Sequence, residues 1–290
     1  KIKNMSINWA GFGLAAIVFA IACIQVVTHK WVKKVTNCYF FWFAISVFIF
    51  AWLIAFRFRF AWENLAQALK EHTIQDPTTY DNSFTISKAL LLDICPFMGL
   101  AMPLTLMVDP TRKAARTLAP LALIGGILIV FAEIPTSNDA AFTAEYIFLG
   151  YDPNHCYFFM HATNLILAIG AMLSTPRYTW KGYVATLGSA IGYYSYVGIT
   201  MSATGCAWFV SGLNLNDWSS TGEYHPVAEF LDCQPLTAAI VGIIFCFAIC
   251  SGFIALKDYV FDKGWFRYSN VRNKPWFFWY NLDSHINVKK

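Results

Sequence analysis

Three ionisable side chains stand inside otherwise apolar stretches of this 290-residue chain, Asp93, Glu133 and His161, and the thiol of Cys95 lies two residues from the first of them. A thiol beside an imidazole makes a nucleophile and its base. The imidazole accepts the sulfhydryl proton, and the thiolate attacks an ester carbonyl and holds the acyl group as a thioester. A third group has to orient the base. Asp93, Glu133 or Asn164 could supply it, Asn164 lying three residues after His161 on the same helical face. Pro96, directly after Cys95, removes a backbone donor and so frees a carbonyl one turn earlier. Taken singly, each residue has a plainer reading. His161 is a hydrogen-bonding core histidine, Cys95 a packing residue, Asp93 a helix cap or the partner of Lys88, and Glu133 a carboxylate in headgroup water. Placement decides between the two readings, and placement depends on the elements that carry these residues.

Those elements are membrane spans. Hydrophobic residues make up 57% of the chain, aromatics 18% and charged residues 13%, and so little charge cannot cover the surface of a soluble domain. A bilayer core takes about 20 apolar residues per helix. Seven runs qualify: Trp9 to Val27, Tyr39 to Phe56, Ala89 to Val108, Thr117 to Ala132, Phe158 to Leu173, Tyr183 to Met201, and Leu236 to Leu256. The third, fourth and fifth are the least lipid-like, because they carry Asp93 with two prolines, fall short, or hold His161 and Asn164. The runs are continuous rather than alternating, which excludes a β-barrel. The expected fold is an all-α polytopic bundle of about seven spans, with residues 1–256 as one transmembrane domain and 257–290 as a tail.

Lys and Arg orient the bundle, since cytoplasmic loops carry the excess. The loops after the first, third and fifth spans, together with the tail, hold 15 of them; the other side holds 6. This predicts the N-terminus outside and the C-terminus inside, in the cell membrane. The net charge of +4 then reports topology and contact with anionic lipid, not nucleic acid. The first span is too long, and too closely followed by the second, for a signal peptide. The chain begins at Lys1 rather than Met, so residues are expected to have preceded it.

In that topology the polar groups share one depth. Asp93 and Cys95 enter from outside in the third span, His161 enters from outside in the fifth, and Glu133 leaves toward the outside in the fourth. Ionisable groups inside a membrane are costly and are functional candidates by default. The outer loops, 63–87, 135–154 and 203–235, are the long ones, and the first of them opens with helical character. In the tail, Trp265, Phe266, Trp276, Phe277, Phe278, Trp279 and Tyr280 interleave with Lys and Arg. That composition suits an interfacial belt or a docking segment for a partner protein. Of the eight Cys, Cys206 and Cys233 bound one outer loop and are a candidate bridge in an oxidising exterior. Cys246 and Cys250 share a helix face as packing residues. No Cys/His spacing suits a metal, and no phosphate-binding loop calls for a cofactor.

The segment Leu90-Leu-Leu-Asp-Ile-Cys95-Pro with Gly99-Leu-Ala-Met-Pro103-Leu, and the segment Phe158-Phe-Met-His161-Ala-Thr-Asn-Leu-Ile-Leu-Ala, resemble two spans of the YwaF-like bacterial integral membrane proteins. Gly212-Leu-Asn214-Leu-Asn216, with Pro226 beyond it, resembles their Gly-x-Asn segment. The resemblance runs from about Ala89 to Leu256. Asp93 departs from it, standing where a neutral or His-like residue belongs, and the aromatic tail has no counterpart. That family is related to transmembrane acyltransferases of ether-lipid metabolism and to androgen-induced-gene-type fatty-acid-ester hydrolases. The resemblance implies a Cys95 nucleophile and a His161 base acting on lipid acyl esters, with Asn214 in support. The sequence is thus read as a membrane-embedded acyltransferase or acyl-ester hydrolase near the outer leaflet, with membrane lipids as partners and no cofactor. The alternatives are a non-catalytic subunit that binds a protein through its tail and outer loops, and a transporter using Asp93, Glu133 and His161 as a relay.

Overall fold

The computed structural model describes residues 9–29, 39–74, 80–133, 135, 147–149, 156–174, 177–204 and 235–261, and these contain no strand. In chain order the helices are α1 (Trp9–Val27), α2 (Tyr39–Leu53), a π-helical turn Ile54–Phe58 running directly into α3 (Arg59–Ile74), α4 (Tyr80–Ala89), and α5 (Ile94–Val108). They continue with α6 (Lys113–Leu128), a π-helical turn Ile129–Glu133, α7 (Tyr157–Ser174), α8 (Trp180–Thr204) and α9 (Pro235–Phe261). Six of these stretches are long and apolar enough to cross a membrane, and α8, with 25 residues, is a seventh candidate. The protein is an all-helical polytopic bundle. The expected outer loop at 63–87 is largely helical, formed by α3 and α4 packed against each other. Cys206, Cys233, Asn214 and the tail from residue 262 lie outside the described residues, as does the side chain of Glu133.

The three spans that look least lipid-like are the ones at the centre. Those containing α5, α6 and α7 bury 50%, 56% and 72% of their most apolar stretch inside the bundle, against 17%, 22% and 28% for those of α1, α2 and α9. A polar side chain inside a bilayer is tolerated where protein rather than lipid surrounds it, so composition sorts the helices into lining and core. Around α7 the backbones approach closely, as small residues permit in membranes. A Cβ at Gly126 of α6 would lie 2.9 Å from Leu165 Cβ and 3.1 Å from its backbone; one at Gly170 of α7 would lie 2.9 Å from the Trp42 ring. Gln25 of α1 donates to the Ile166 carbonyl at 3.2 Å. By contrast Phe12, Phe19, Phe40 and Phe48 point away from protein, as lipid-facing side chains do.

Helix directions alternate, so the basic loops collect at one end. Tyr39 donates to the Met107 carbonyl at 2.6 Å, Tyr178 to the Arg116 carbonyl at 2.9 Å, and the Tyr178 amide to Asp258 at 3.1 Å. The last helix continues past Leu256 and buries the ion pair Lys257–Asp258, 3.2 Å long. Between α5 and α6, Asp109 Oδ1 accepts from the Thr111 amide at 2.8 Å and hydroxyl at 2.5 Å, and Oδ2 from the Ala114 amide at 3.1 Å. Burial pushes this carboxyl up, but the hydrogen bonds from Thr111, Ala114 and Lys113 outweigh it and hold the carboxyl below its ordinary value of 3.8. A depressed folded value means that its stabilisation is complete above 3.8 and is lost as pH falls through the folded value. Asp109→Ala is therefore expected to cost about 1 kcal/mol at neutral pH, the worth of a helix cap. The deficit should vanish in strongly acidic buffer, and thermal unfolding in detergent across pH checks both.

The third span is not one helix. It breaks between α4 and α5, where Leu91 takes a left-handed conformation with φ 56°. This departs from the continuous run Ala89 to Val108, and the cause is local. Asp93 caps α5 by accepting from the Cys95 amide at 3.3 Å, and Pro96 has no amide to offer the preceding turn. Orphaned carbonyls inside a bilayer are expensive, and here other helices satisfy them. Trp62 donates to the Ala89 carbonyl at 2.9 Å, Tyr196 to that of Leu90, and Tyr193 to that of Leu92 at 2.9 Å.

Candidate functional site

Four of the residues singled out in the sequence gather around this break, at the end of the bundle opposite the basic loops. Asp93 does two jobs at once, capping α5 and forming an ion pair with Lys88 at 2.9 Å. Cys95 is the second residue of α5, so its thiol sits at the positive end of the helix dipole. It is half-buried. Its sulfur rests against Gly125 of α6, so close that a Cβ there would lie 2.4 Å from Sγ. Asn164 of α7 donates to the Cys95 carbonyl at 3.2 Å, tying together two segments that the sequence separates by 69 residues.

His161 lies one turn before Asn164 on α7 and is 1% exposed. Its Nδ1 stands 2.7 Å from the Tyr157 carbonyl oxygen. A carbonyl only accepts, so Nδ1 carries the proton and Nε2 of the neutral ring is the acceptor, the tautomer a general base needs. The group that holds Nδ1 is thus a backbone carbonyl rather than Asp93 or Asn164, while the side chain of Glu133 lies outside the described residues. The physical reason is local: a carbonyl one helical turn back is always within reach of a histidine, whereas Asn164 and Asp93 are engaged with the Cys95 backbone. The imidazole also packs on the Tyr157 ring, centroids 4.4 Å apart. Asp93 and Lys88 are both close enough for their charges to act on His161. Glu133 ends the π-helical turn after α6.

Two residues of this site escaped the sequence reading. Cys156, just before α7, is fully buried and donates its thiol to the Phe148 carbonyl at 3.1 Å. Burial pushes it up to about 11, against the pull of the nearby Arg57 charge, so it stays protonated and serves as a hydrogen-bond donor while Cys95 remains the candidate nucleophile. The second is Arg57 itself. It is 2% exposed, with its guanidinium carbon 5.6 Å from the centre of the Tyr157 ring and its charge within reach of Asp93, Cys95 and Cys156. Sequence spacing held a clue. In α2 the buried face runs through Trp42, Ser46, Ile49 and Leu53, and Arg57 is the next step of four. No metal-binding group of three His, Cys, Asp or Glu exists among the described residues.

Chemically, the arrangement gathers around the helix break a thiol at a helix start, an imidazole whose Nδ1 is held by a backbone carbonyl, and a buried guanidinium. Comparison with known proteins gives relatives without assigned chemistry. The chain is 29% identical over 168 residues to the "uncharacterized protein MG135 homolog" of Mycoplasma pneumoniae, covering 55% of this chain and 56% of that one. It is 28% identical over 169 residues to the "uncharacterized protein MG135" of Mycoplasma genitalium, covering 56% and 59% respectively. The chain thus matches a little over half the length of these relatives. No solved structure matches. A family of unknown function, DUF5378, matches along residues 16–263, and the chain belongs to that family.

Proposed function

We propose that this protein is a membrane-embedded acyltransferase or acyl-ester hydrolase with Cys95 as nucleophile and His161 as base. The observation that carries the reading is the meeting of α5 and α7 at the helix break, where Asn164 holds the Cys95 backbone one turn from an imidazole in the base-competent tautomer. The resemblance of the two segments around Cys95 and His161 to the YwaF-like membrane proteins, relatives of lipid acyltransferases and fatty-acid-ester hydrolases, is a further support. In the first half-reaction His161 Nε2 takes the thiol proton, and the sulfur attacks the ester carbonyl. The C–S bond forms as the C–O bond breaks, and the alcohol leaves with the proton that His161 returns. In the second, a lipid hydroxyl or water attacks the thioester, gives its proton to His161, and restores the thiol as the new ester or free acid departs.

The test is intact-mass analysis of the purified protein after exposure to an activated acyl ester. One acyl adduct, mapped to Cys95 and absent from Cys95→Ala, is expected. Labelling spread over other cysteines, or turnover that survives both Cys95→Ala and His161→Asn, overturns the reading. One observation favours a second reading, transport. A span interrupted beside an ion pair is the usual architecture of a transporter binding site, and α4–α5 with Lys88–Asp93 has that form. Substrate-driven proton movement in proteoliposomes, lost in Asp93→Asn yet intact in Cys95→Ala, would favour transport over acyl chemistry.

A further inference from the structure

We propose that Tyr193 of α8 is a positioning residue for Cys95, holding the first turn of α5 so that the thiol is aimed for reaction; this rests on the acyl-transfer reading above. The need for such a residue begins in the sequence. In a regular helix the Leu92 carbonyl would accept from the amide of residue 96, but that residue is Pro96 and has none. Just before it, Leu91 holds φ 56°, a conformation that leucine seldom adopts and that persists only where neighbouring structure holds it. The stretch leading into Cys95 therefore depends on other helices for its geometry.

The structure gives that task to α8. The Tyr193 hydroxyl donates to the Leu92 carbonyl at 2.9 Å, in place of the amide that Pro96 lacks. Its ring packs on Phe97, with centroids 5.0 Å apart. One side chain thus grips the chain on both sides of Cys95, at Leu92 and at Phe97, and at 4% exposure it is itself enclosed. Tyr196, three residues on and so on the same face of α8, holds the Leu90 carbonyl, and Trp62 of α3 holds that of Ala89. Those two clasp the far side of Leu91, whereas Tyr193 acts on the Cys95 side of it. A shift of about 1 Å at a reacting atom can cost about 100-fold in rate, and the influence of a helix start on a thiol fades within its first turn. The aim of this turn therefore matters to the chemistry as well as to the fold.

The experiment compares wild type, Tyr193→Phe and Tyr196→Phe as full-length proteins in neutral-lipid nanodiscs. Acylation of Cys95 by p-nitrophenyl decanoate is followed by intact mass across ester concentrations. Tyr193→Phe keeps the ring on Phe97 and removes the donor. It is expected to lower the saturating acylation rate about tenfold or more, with the half-saturating ester concentration unchanged. Tyr196→Phe, which removes a bond of the same kind beyond Leu91, is expected to lower the melting temperature comparably and to keep most of that rate. A saturating rate unchanged in Tyr193→Phe, or lowered equally in both variants, overturns the proposal, because a purely structural clamp moves the two alike. A loss seen only as a higher half-saturating concentration also overturns it, since Tyr193 would then bind the ester. If Tyr193→Phe does not fold, Phe97→Leu, which withdraws the other half of the grip, carries the same expectation, and an unchanged rate there ends the proposal. If wild type is not acylated at all, the acyl reading fails by itself. Tyr193 is then judged by alkylation of Cys95 with iodoacetamide, mapped by peptide mass. Alkylation about tenfold slower in Tyr193→Phe but not in Tyr196→Phe sustains the positioning role, and equal rates end it.

Discussion

Gly126→Val is expected to prevent stable folding of the bundle, and Gly126→Ala to cost about 1–3 kcal/mol, the usual penalty for overpacking a tight contact. The basis is the crossing of α6 and α7, where the atoms a new Cβ would meet are the Leu165 Cβ at 2.9 Å and its Cα and amide nitrogen at 3.1 Å. Backbone cannot rotate aside as a flexible side chain can, so the helices must separate. Ordinarily alanine is favoured over glycine inside a helix by up to about 1 kcal/mol, which makes the expected sign a specific one. Gly188→Ala on α8, where nothing lies within 4 Å of the added Cβ, serves as control and should be neutral or stabilising. Equal melting temperatures in detergent for Gly126→Ala and Gly188→Ala would contradict the packing argument. Gly125→Ala separates packing from chemistry. Its Cβ would lie 2.4 Å from Cys95 Sγ, a side-chain atom that can swing away, so acyl capture should fall far more than stability.

His161→Gln is expected to lower turnover by about 10²–10⁴-fold, the range that a positioned general base supplies. His161→Asn is the sharper variant. Its short amide can still donate to the Tyr157 carbonyl, which Nδ1 reaches at 2.7 Å, but it offers no ring nitrogen to take the thiol proton. If His161 only tethers α7 locally, His161→Asn should retain most activity; if it is the base, both variants should fall alike. The imidazole is 1% exposed, so unfolding has to be excluded by melting temperature before rates are compared. Rates measured with a pre-activated thioester acceptor step, in which the nucleophile is already acylated, would place the loss in one half-reaction or the other.

Much of the site was legible because charge is so scarce. With 13% charged residues, Asp93 and His161 stand out in their spans, and up-and-down topology alone predicts that they share a depth. Both plain readings of Asp93, cap and partner of Lys88, hold at once, since a carboxylate has two oxygens. Arg57 went unseen because α2 is apolar on every side. In its middle turns the one hydroxyl, Ser46, marks the buried face, but one residue is thin evidence of periodicity. The partner of His161 was hidden for another reason. Sequence patterns display side chains, and the acceptor is a backbone carbonyl.

By itself the sequence determined that this is a helical membrane bundle, and it marked the third, fourth and fifth spans as the least lipid-like. Those properties follow from transfer free energy, which sums over residues regardless of their partners. Only the tertiary structure decided that the third span breaks at Leu91, that Gly125 gives Cys95 its space, that Asn164 holds the Cys95 carbonyl, and that Arg57 turns inward beside Tyr157. Each of these depends on distances of about 3–6 Å between helices far apart in the chain, set by hydrogen-bond geometry and close packing, which act between particular atoms and not on composition.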